Sequence, residues 1–268
     1  MFNRLLVIVP SVCLATGMAW PAENPFIGRW RLVPSKSRMP DEMKVERKGG
    51  DRYAIDFGAG SVETIVVDGS DQPGVSGTLL SVQAEAPDTW IVKRRMGSRL
   101  LLEATWKLSK GDSTLTDYFR GFELDGSTLS VEYVYRRSGG GSGGGSGFAA
   151  DWQSITETMN SPFLLEVKEF QGDGLSFDGL SFVDPLAQKT KHLMFDGKDY
   201  RPNEANAGRG VSSSIRRVDE RTLVITDKYN GKETDTEEFA LSSDQKTLTM
   251  TVHVVGRDKP NVLVFERK

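Results

Sequence analysis

The chain has 268 residues, 38% of them hydrophobic and 26% charged, with a formal net charge of -3. This is an ordinary globular composition, long enough for one large domain or two small ones, and it excludes a chain that is disordered throughout. The slightly acidic balance also speaks against a nucleic-acid partner, because a polyanion binder gathers a basic excess on one face.

From the N-terminus, Met1-Phe-Asn-Arg4 is followed by the apolar run Leu5 to Ala15 and by small residues around Gly17 and Ala19. A positive start, a short apolar stretch and a small-residue site make residues 1–22 a secretory signal peptide, cut after Ala19 or Ala22. The run is shorter than the roughly 20 apolar residues that a spanning helix needs, and no later segment is longer. The mature form is therefore expected to have no integral membrane segment and to be exported, to the periplasm or outside the cell. Cys13 is the only cysteine and lies in the signal, where Pro10-Ser11-Val12 does not resemble a lipoprotein cleavage motif. The mature fold must then rely on its core and not on disulfides.

The remainder is a repeat. Phe26-Ile-Gly-Arg-Trp30 aligns with Phe148-Ala-Ala-Asp-Trp152, and the register continues through Pro40 over Pro162, Val45 over Val167 and Gly50-Asp51 over Gly172-Asp173. Trp106-Lys-Leu-Ser falls on Phe239-Ala-Leu-Ser, and Tyr133-Val-Tyr-Arg-Arg137 on Leu263-Val-Phe-Glu-Arg267. The copies are placed at 26–137 and 148–268, joined by a Gly/Ser linker at 138–147 that is a flexible coil by composition.

Within each copy the pattern is that of short strands. Thr247-Leu-Thr-Met-Thr-Val-His-Val254 alternates apolar and polar residues, and similar segments start at Arg99, Leu129, Arg221 and Val262. The turn pairs Asp68-Gly69, Asp125-Gly126, Asp196-Gly197 and Asn230-Gly231 accept the positive φ that tight hairpins require, so consecutive strands run antiparallel. A short helix is expected near Ala150 to Met159. The fold class is all-β, with seven to nine strands per copy closing into a sandwich or barrel.

Recognisable catalytic chemistry is missing. Gly140-Gly-Ser-Gly-Gly144 matches a nucleophile-elbow pattern but sits in the linker, away from any strand-to-helix turn. His192 and His253 both fall in strands, outside any metal-ligand spacing, and are read as core or solvent-facing. Asp173, Asp178 and Asp184 lack the spacing of a calcium loop and are read as turn caps. No metal, cofactor or catalytic residue is assigned, and the chain is not expected to be an enzyme. The cluster Lys93, Arg94, Arg95 and Arg99 is read as a solvated strand face. Glu233, Asp235, Glu237 and Glu238 form its acidic counterpart, through which the copies could attract one another. Trp90, Trp106, Tyr133 and Tyr135 are the candidate ligand contacts, since rings with a few polar groups commonly line a small-molecule site.

Gly28-Arg29-Trp30 with Lys36-Ser37, the turn Phe195-Asp-Gly-Lys-Asp-Tyr200, Ser243 to Thr249 and Val264-Phe-Glu-Arg267 resemble the lipocalin-like domains of secreted bacterial proteins, over essentially the whole mature chain. The resemblance implies two tandem antiparallel lipocalin-like β-barrels. It also implies a structural end-plug in each, a tryptophan under an arginine from the last strand: Trp30 with Arg136 or Arg137, and Trp152 with Arg267. The second copy carries Ala150 where the motif has glycine. The implied function is non-enzymatic binding of a small apolar or amphipathic ligand inside a barrel. The alternative is a structural or protein-interaction module of the envelope with solid barrels. An apolar interior of roughly 300 Å³ or more would favour the first.

Overall fold

The computed structural model describes residues 24–58, 62–122, 128–139, 147–159, 163–179, 190–201 and 210–268. The expected signal peptide, the centre of the linker and Asp184 lie outside the described residues. Their regular structure is nineteen strands and two single 3-10 turns, Pro34–Lys36 and Val75–Gly77. No helix among them is long and apolar enough to cross a membrane.

The strands are β1 Gly28–Leu32, β2 Glu42–Gly49, β3 Arg52–Asp56, β4 Val62–Val66, β5 Gln72–Pro73, β6 Leu79–Ala86, β7 Thr89–Met96, β8 Arg99–Leu108, β9 Thr114–Phe122 and β10 Thr128–Gly139. The second half supplies β11 Ala150–Met159, β12 Leu164–Phe170, β13 Gly174–Asp178, β14 Thr190–Met194, β15 Val211–Asp219, β16 Thr222–Tyr229, β17 Lys232–Leu241, β18 Thr247–Val254 and β19 Asn261–Arg267. The expected helix near Ala150 is strand β11, which pairs with β10 on one side and β2 on the other. Its run of Ile155, Thr156 and Thr158 is β-branched, and two neighbouring ladders decide the outcome over local propensity. Asn230 and Gly231, at φ 50° and 78°, form the left-handed pair that turns β16 into β17.

The strands form two antiparallel, nearly closed β-barrels. Barrel 1 is a ten-stranded sheet in the order β4-β3-β2-β11-β10-β9-β8-β7-β6-β5, and barrel 2 a nine-stranded sheet in the order β14-β13-β12-β1-β19-β18-β17-β16-β15. Edges left open would present unpaired backbone groups to other chains, and both are bridged. In barrel 1 the Gln72 side-chain amide accepts from Val66 N at 3.0 Å and donates to Val66 O at 3.2 Å, standing in for a ladder pair between β4 and β5. In barrel 2, Tyr200 and Ser213 exchange backbone hydrogen bonds of 2.7 and 2.8 Å.

The barrels do not coincide with the sequence copies 26–137 and 148–268. β1 pairs with β12 and β19 in barrel 2, while its counterpart β11 pairs with β10 and β2 in barrel 1. Each barrel therefore takes its first strand from the other copy. The linker explains how β11 arrives there. β10 runs to Gly139, into the expected linker, and pairs antiparallel with β11, so the linker joins neighbouring strands and β11 folds back beside β10. The buried side chains form one contiguous cluster through both barrels.

Candidate functional site

Alternation along the barrel 1 strands turns a set of rings and polar groups inward. On β10, Leu129, Val131, Tyr133 and Tyr135 are buried; on β7 Trp90, Val92 and Arg94; on β8 Trp106 and Leu108; on β9 Leu115 and Asp117. The four candidate ligand contacts thus all lie inside barrel 1. Trp90 stacks on Phe148 with centroids 3.9 Å apart, meets Tyr53 edge-on at 4.9 Å and lies 6.3 Å from Trp106. Tyr133 and Tyr135 are 5.8 Å apart.

Two carboxyls that composition and motif reading do not single out complete this cluster. Burial, reinforced by the charge of Asp41, pushes the Asp117 carboxyl up to about 8. The Trp106 indole N–H faces Asp117 and opposes that shift, yet Trp106 Nε1 and Asp117 Oδ1 are both buried without a hydrogen bond of ordinary geometry. Burial also raises Asp41, against the pull of Arg257 and of the Tyr135 hydroxyl, which donates to Asp41 Oδ2 at 2.6 Å. Both tyrosines are held well above their usual range, first by burial and then by Asp41.

Asp41 connects this interior to the outside. It lines a cleft of about 20 Å³ with Pro40, Glu42, Gln153, Ser154, Arg257 and Lys259, room for about one water. Both halves of the chain build it: Ser154 of β11 accepts from Asp41 N at 2.9 Å, and Arg257, between β18 and β19, reaches Asp41 Oδ1 at 3.1 Å and donates to Phe57 O at 2.9 Å.

The basic cluster is not one solvated face. Lys93 points outward to Glu103 at 3.2 Å, whereas Arg94 turns inward and grips Glu63 in a fork of 2.9 and 2.6 Å, with Thr78 Oγ1 at 2.8 Å. Nor do the acidic residues of β17 share a face, since Glu238 is exposed and Glu237 is buried in barrel 2. There Lys191 lies against Asp227 at 2.5 Å and Glu237 at 3.0 Å, and Ser213 donates to the other oxygen of Asp227. Burial alone would lower the Lys191 ammonium, but Glu237 and Asp227 outweigh it and raise it, while burial raises the Glu237 carboxyl. Asp227, Asp235 and Glu237 lie close enough to share a cation, and Lys191 already supplies one. His192 stacks on Phe170 at 4.8 Å with Nδ1 buried, and His253 is exposed.

The end-plugs have the expected parts in crossed combination. Arg267 lies 4.2 Å over the Trp30 ring and Arg137 lies 4.6 Å over Trp152. The expected partners, Arg136 or Arg137 for Trp30 and Arg267 for Trp152, are displaced because β1 and β11 have changed barrels. Both plugs repeat one wiring. Trp30 Nε1 donates to Phe26 O at 2.9 Å and Trp152 Nε1 to Phe148 O at 3.0 Å. Arg267 donates to Gln245 O, Ile27 O and Pro25 O; Arg137 donates to Asp112 O, Ala149 O and Gly147 O. At Gly28, whose φ is 146°, a Cβ would sit 2.7 Å from Arg267 Nη1. Ala150 fills the equivalent place under the more distant Arg137.

No family model and no curated protein matches the chain. Among solved structures it is similar to the wild-type fluorescent protein UnaG, at 22% identity and a TM-score of 0.29, over 40% of this chain and 73% of that one.

Proposed function

We propose that the mature chain is an exported, non-enzymatic binding protein whose first barrel holds a small amphipathic molecule, its polar end at Asp117 and Trp106 and its apolar part among Trp90, Tyr133 and Tyr135. The observation that carries this reading is the facing pair of Trp106 Nε1 and Asp117 Oδ1, a donor and an acceptor buried inside a ring-lined barrel without a hydrogen bond of ordinary geometry. Buried polar atoms ordinarily find partners, and one left open costs about 1–3 kcal/mol, so a ligand hydroxyl or amine that satisfies both would bind with that gain. Asp41 and Tyr135 lead from the cleft towards this pair.

A second reading, with barrels filled by their own side chains and acting through their outer surface in the envelope, is favoured by the 3.9 Å stack of Phe148 on Trp90 and by the small volume of the cleft. A ligand would have to displace those rings.

One experiment separates the two. Chain purified without denaturant is expected to retain an added mass in native mass spectrometry, and the emptied chain to light up an anilinonaphthalene sulfonate dye that Asp117→Leu protein binds differently. Bare chain mass together with no dye emission would establish the filled-barrel reading instead.

A further inference from the structure

We propose that the chain is a covalently fused, strand-exchanged dimer: each half is an incomplete barrel, and the groove between its second and last strands fits a first strand from another half of the same kind. This is independent of what barrel 1 holds. In barrel 2 the groove lies between β12 and β19, and β1 fills it in register with both, Trp30 opposite Leu165 on one side and Arg267 on the other. In barrel 1 it lies between β2 and β10, where Trp152 of β11 stands opposite Met43 and Arg137. Without the donated strand each groove would bare two rows of backbone hydrogen-bonding groups and half of a plug.

The contacts that seat β1 run from copy to copy. Besides the two carbonyls, Ile27 O and Pro25 O, that Arg267 holds across the copies, Lys268 N donates to Arg29 O at 2.9 Å, Val33 N to Val264 O at 2.8 Å, and Leu32 N to Phe163 O at 3.0 Å. Past the end of β1, Arg38 and Val262 exchange a pair of 2.7 Å backbone bonds, Val264 N donates to Ser37 Oγ at 3.0 Å, and Lys36 pairs with Glu266 at 2.9 Å.

The linker meets this interlock at its end, where Arg137 holds the Gly147 carbonyl. It joins β10 to β11, neighbours in one sheet, so cutting it leaves every strand of both barrels in place. Its effect is to hold the two halves at a high effective concentration and fix their ratio at one to one.

The test uses the full mature chain with a protease site placed within 140–146. Because Cys13 is the sole cysteine, new thiols report cleanly. Arg31 and Glu266 are direct cross-strand partners, so R31C/E266C oxidised before cleavage should join the two fragments into one covalent species on a non-reducing gel. The unexchanged arrangement would instead bring Arg31 beside Arg136, the residue that aligns with Glu266. R31C/R136C puts both thiols in the N-terminal fragment, so it is read by thiol titration, and both thiols should remain free after oxidation. Unoxidised, the cut wild-type chain should still migrate as a one-to-one complex. Separation of the R31C/E266C fragments, whether or not R31C/R136C closes, would overturn the proposal.

Discussion

In barrel 2 the buried ammonium of Lys191 faces two carboxylates, and Ser213 completes one of them. In barrel 1 the buried charge is split: Arg94 and Glu63 neutralise one another in a fork, while Asp117 faces only an indole N–H. The ends of the two barrels, by contrast, are built alike down to the carbonyls that each arginine holds. Closing a barrel end demands one solution in both halves, and the interior tolerates different ones. Each interior keeps one carboxyl raised by burial, Asp117 in barrel 1 and Glu237 in barrel 2, and barrel 1 is the one richer in rings, which is why the binding reading falls on it.

The likeness of the ends is broken first by Trp30→Ala and Trp152→Ala. Both rings are fully buried, so each truncation should cost about 3–5 kcal/mol. The two costs should lie within about 1 kcal/mol of each other, since the rings share one wiring and their arginines lie at 4.2 and 4.6 Å. Denaturant titration checks both, and an unchanged midpoint for either would show that its ring closes nothing. Next comes Glu63→Gln, expected to cost about 3 kcal/mol because Arg94 is left charged and buried without its partner. A loss under 1 kcal/mol in the same titration would mean that water reaches the pair.

Asp117 sharpens the contrast between the interiors through pH. Its folded carboxyl holds a proton up to about 8, while the unfolded one releases it near 3.8. Below pH 4 both states are protonated and nothing is lost; as the pH rises towards 8 the unfolded state alone ionises, so stability falls by up to about 1.4 kcal/mol per pH unit, then levels off. Asp117→Asn should reduce the slope of stability against pH by one proton over that window, leaving the share of the similarly raised Glu237. An unaltered slope would place Asp117 in contact with solvent. The smallest effect is that of Gly28→Ala, about 1–2 kcal/mol, because the new methyl meets Arg267 and an alanine strains at that φ. Ala150→Gly should cost under about 1 kcal/mol, the ordinary entropic penalty of a strand glycine, and equal losses at the two sites would dissolve the distinction between the plugs.

The repeat, most of the strands, the Asn230-Gly231 hairpin turn and the plug residues were legible in the sequence, because alternation and turn chemistry are local, whereas β11 was read as a short helix. The inward charges were legible in principle. Arg94 is in phase with Trp90 and Val92, Asp117 with Leu115, Lys191 with Leu193 and Glu237 with Phe239. A charge in step with the apolar face of a strand points into the barrel, and reading the charges as clusters hides that phase. The exchange of β1 and β11 was not legible. Both copies present the same groove to equivalent first strands, and nothing in either strand names the groove it enters, since its contacts are backbone bonds and a shared Trp–Arg pair. Which copy supplies the strand is decided by chain connectivity, including a linker that can serve as a hairpin as readily as a spacer.

Double-mutant cycles on the plugs test that crossed assembly most directly. Trp30→Ala combined with Arg267→Ala should show a coupling of about 0.5–2 kcal/mol, as a stacked pair does, while Trp30→Ala combined with Arg137→Ala should be additive within about 0.5 kcal/mol. Coupling of Trp30 to Arg137, with none to Arg267, would contradict the account and return each first strand to its own copy.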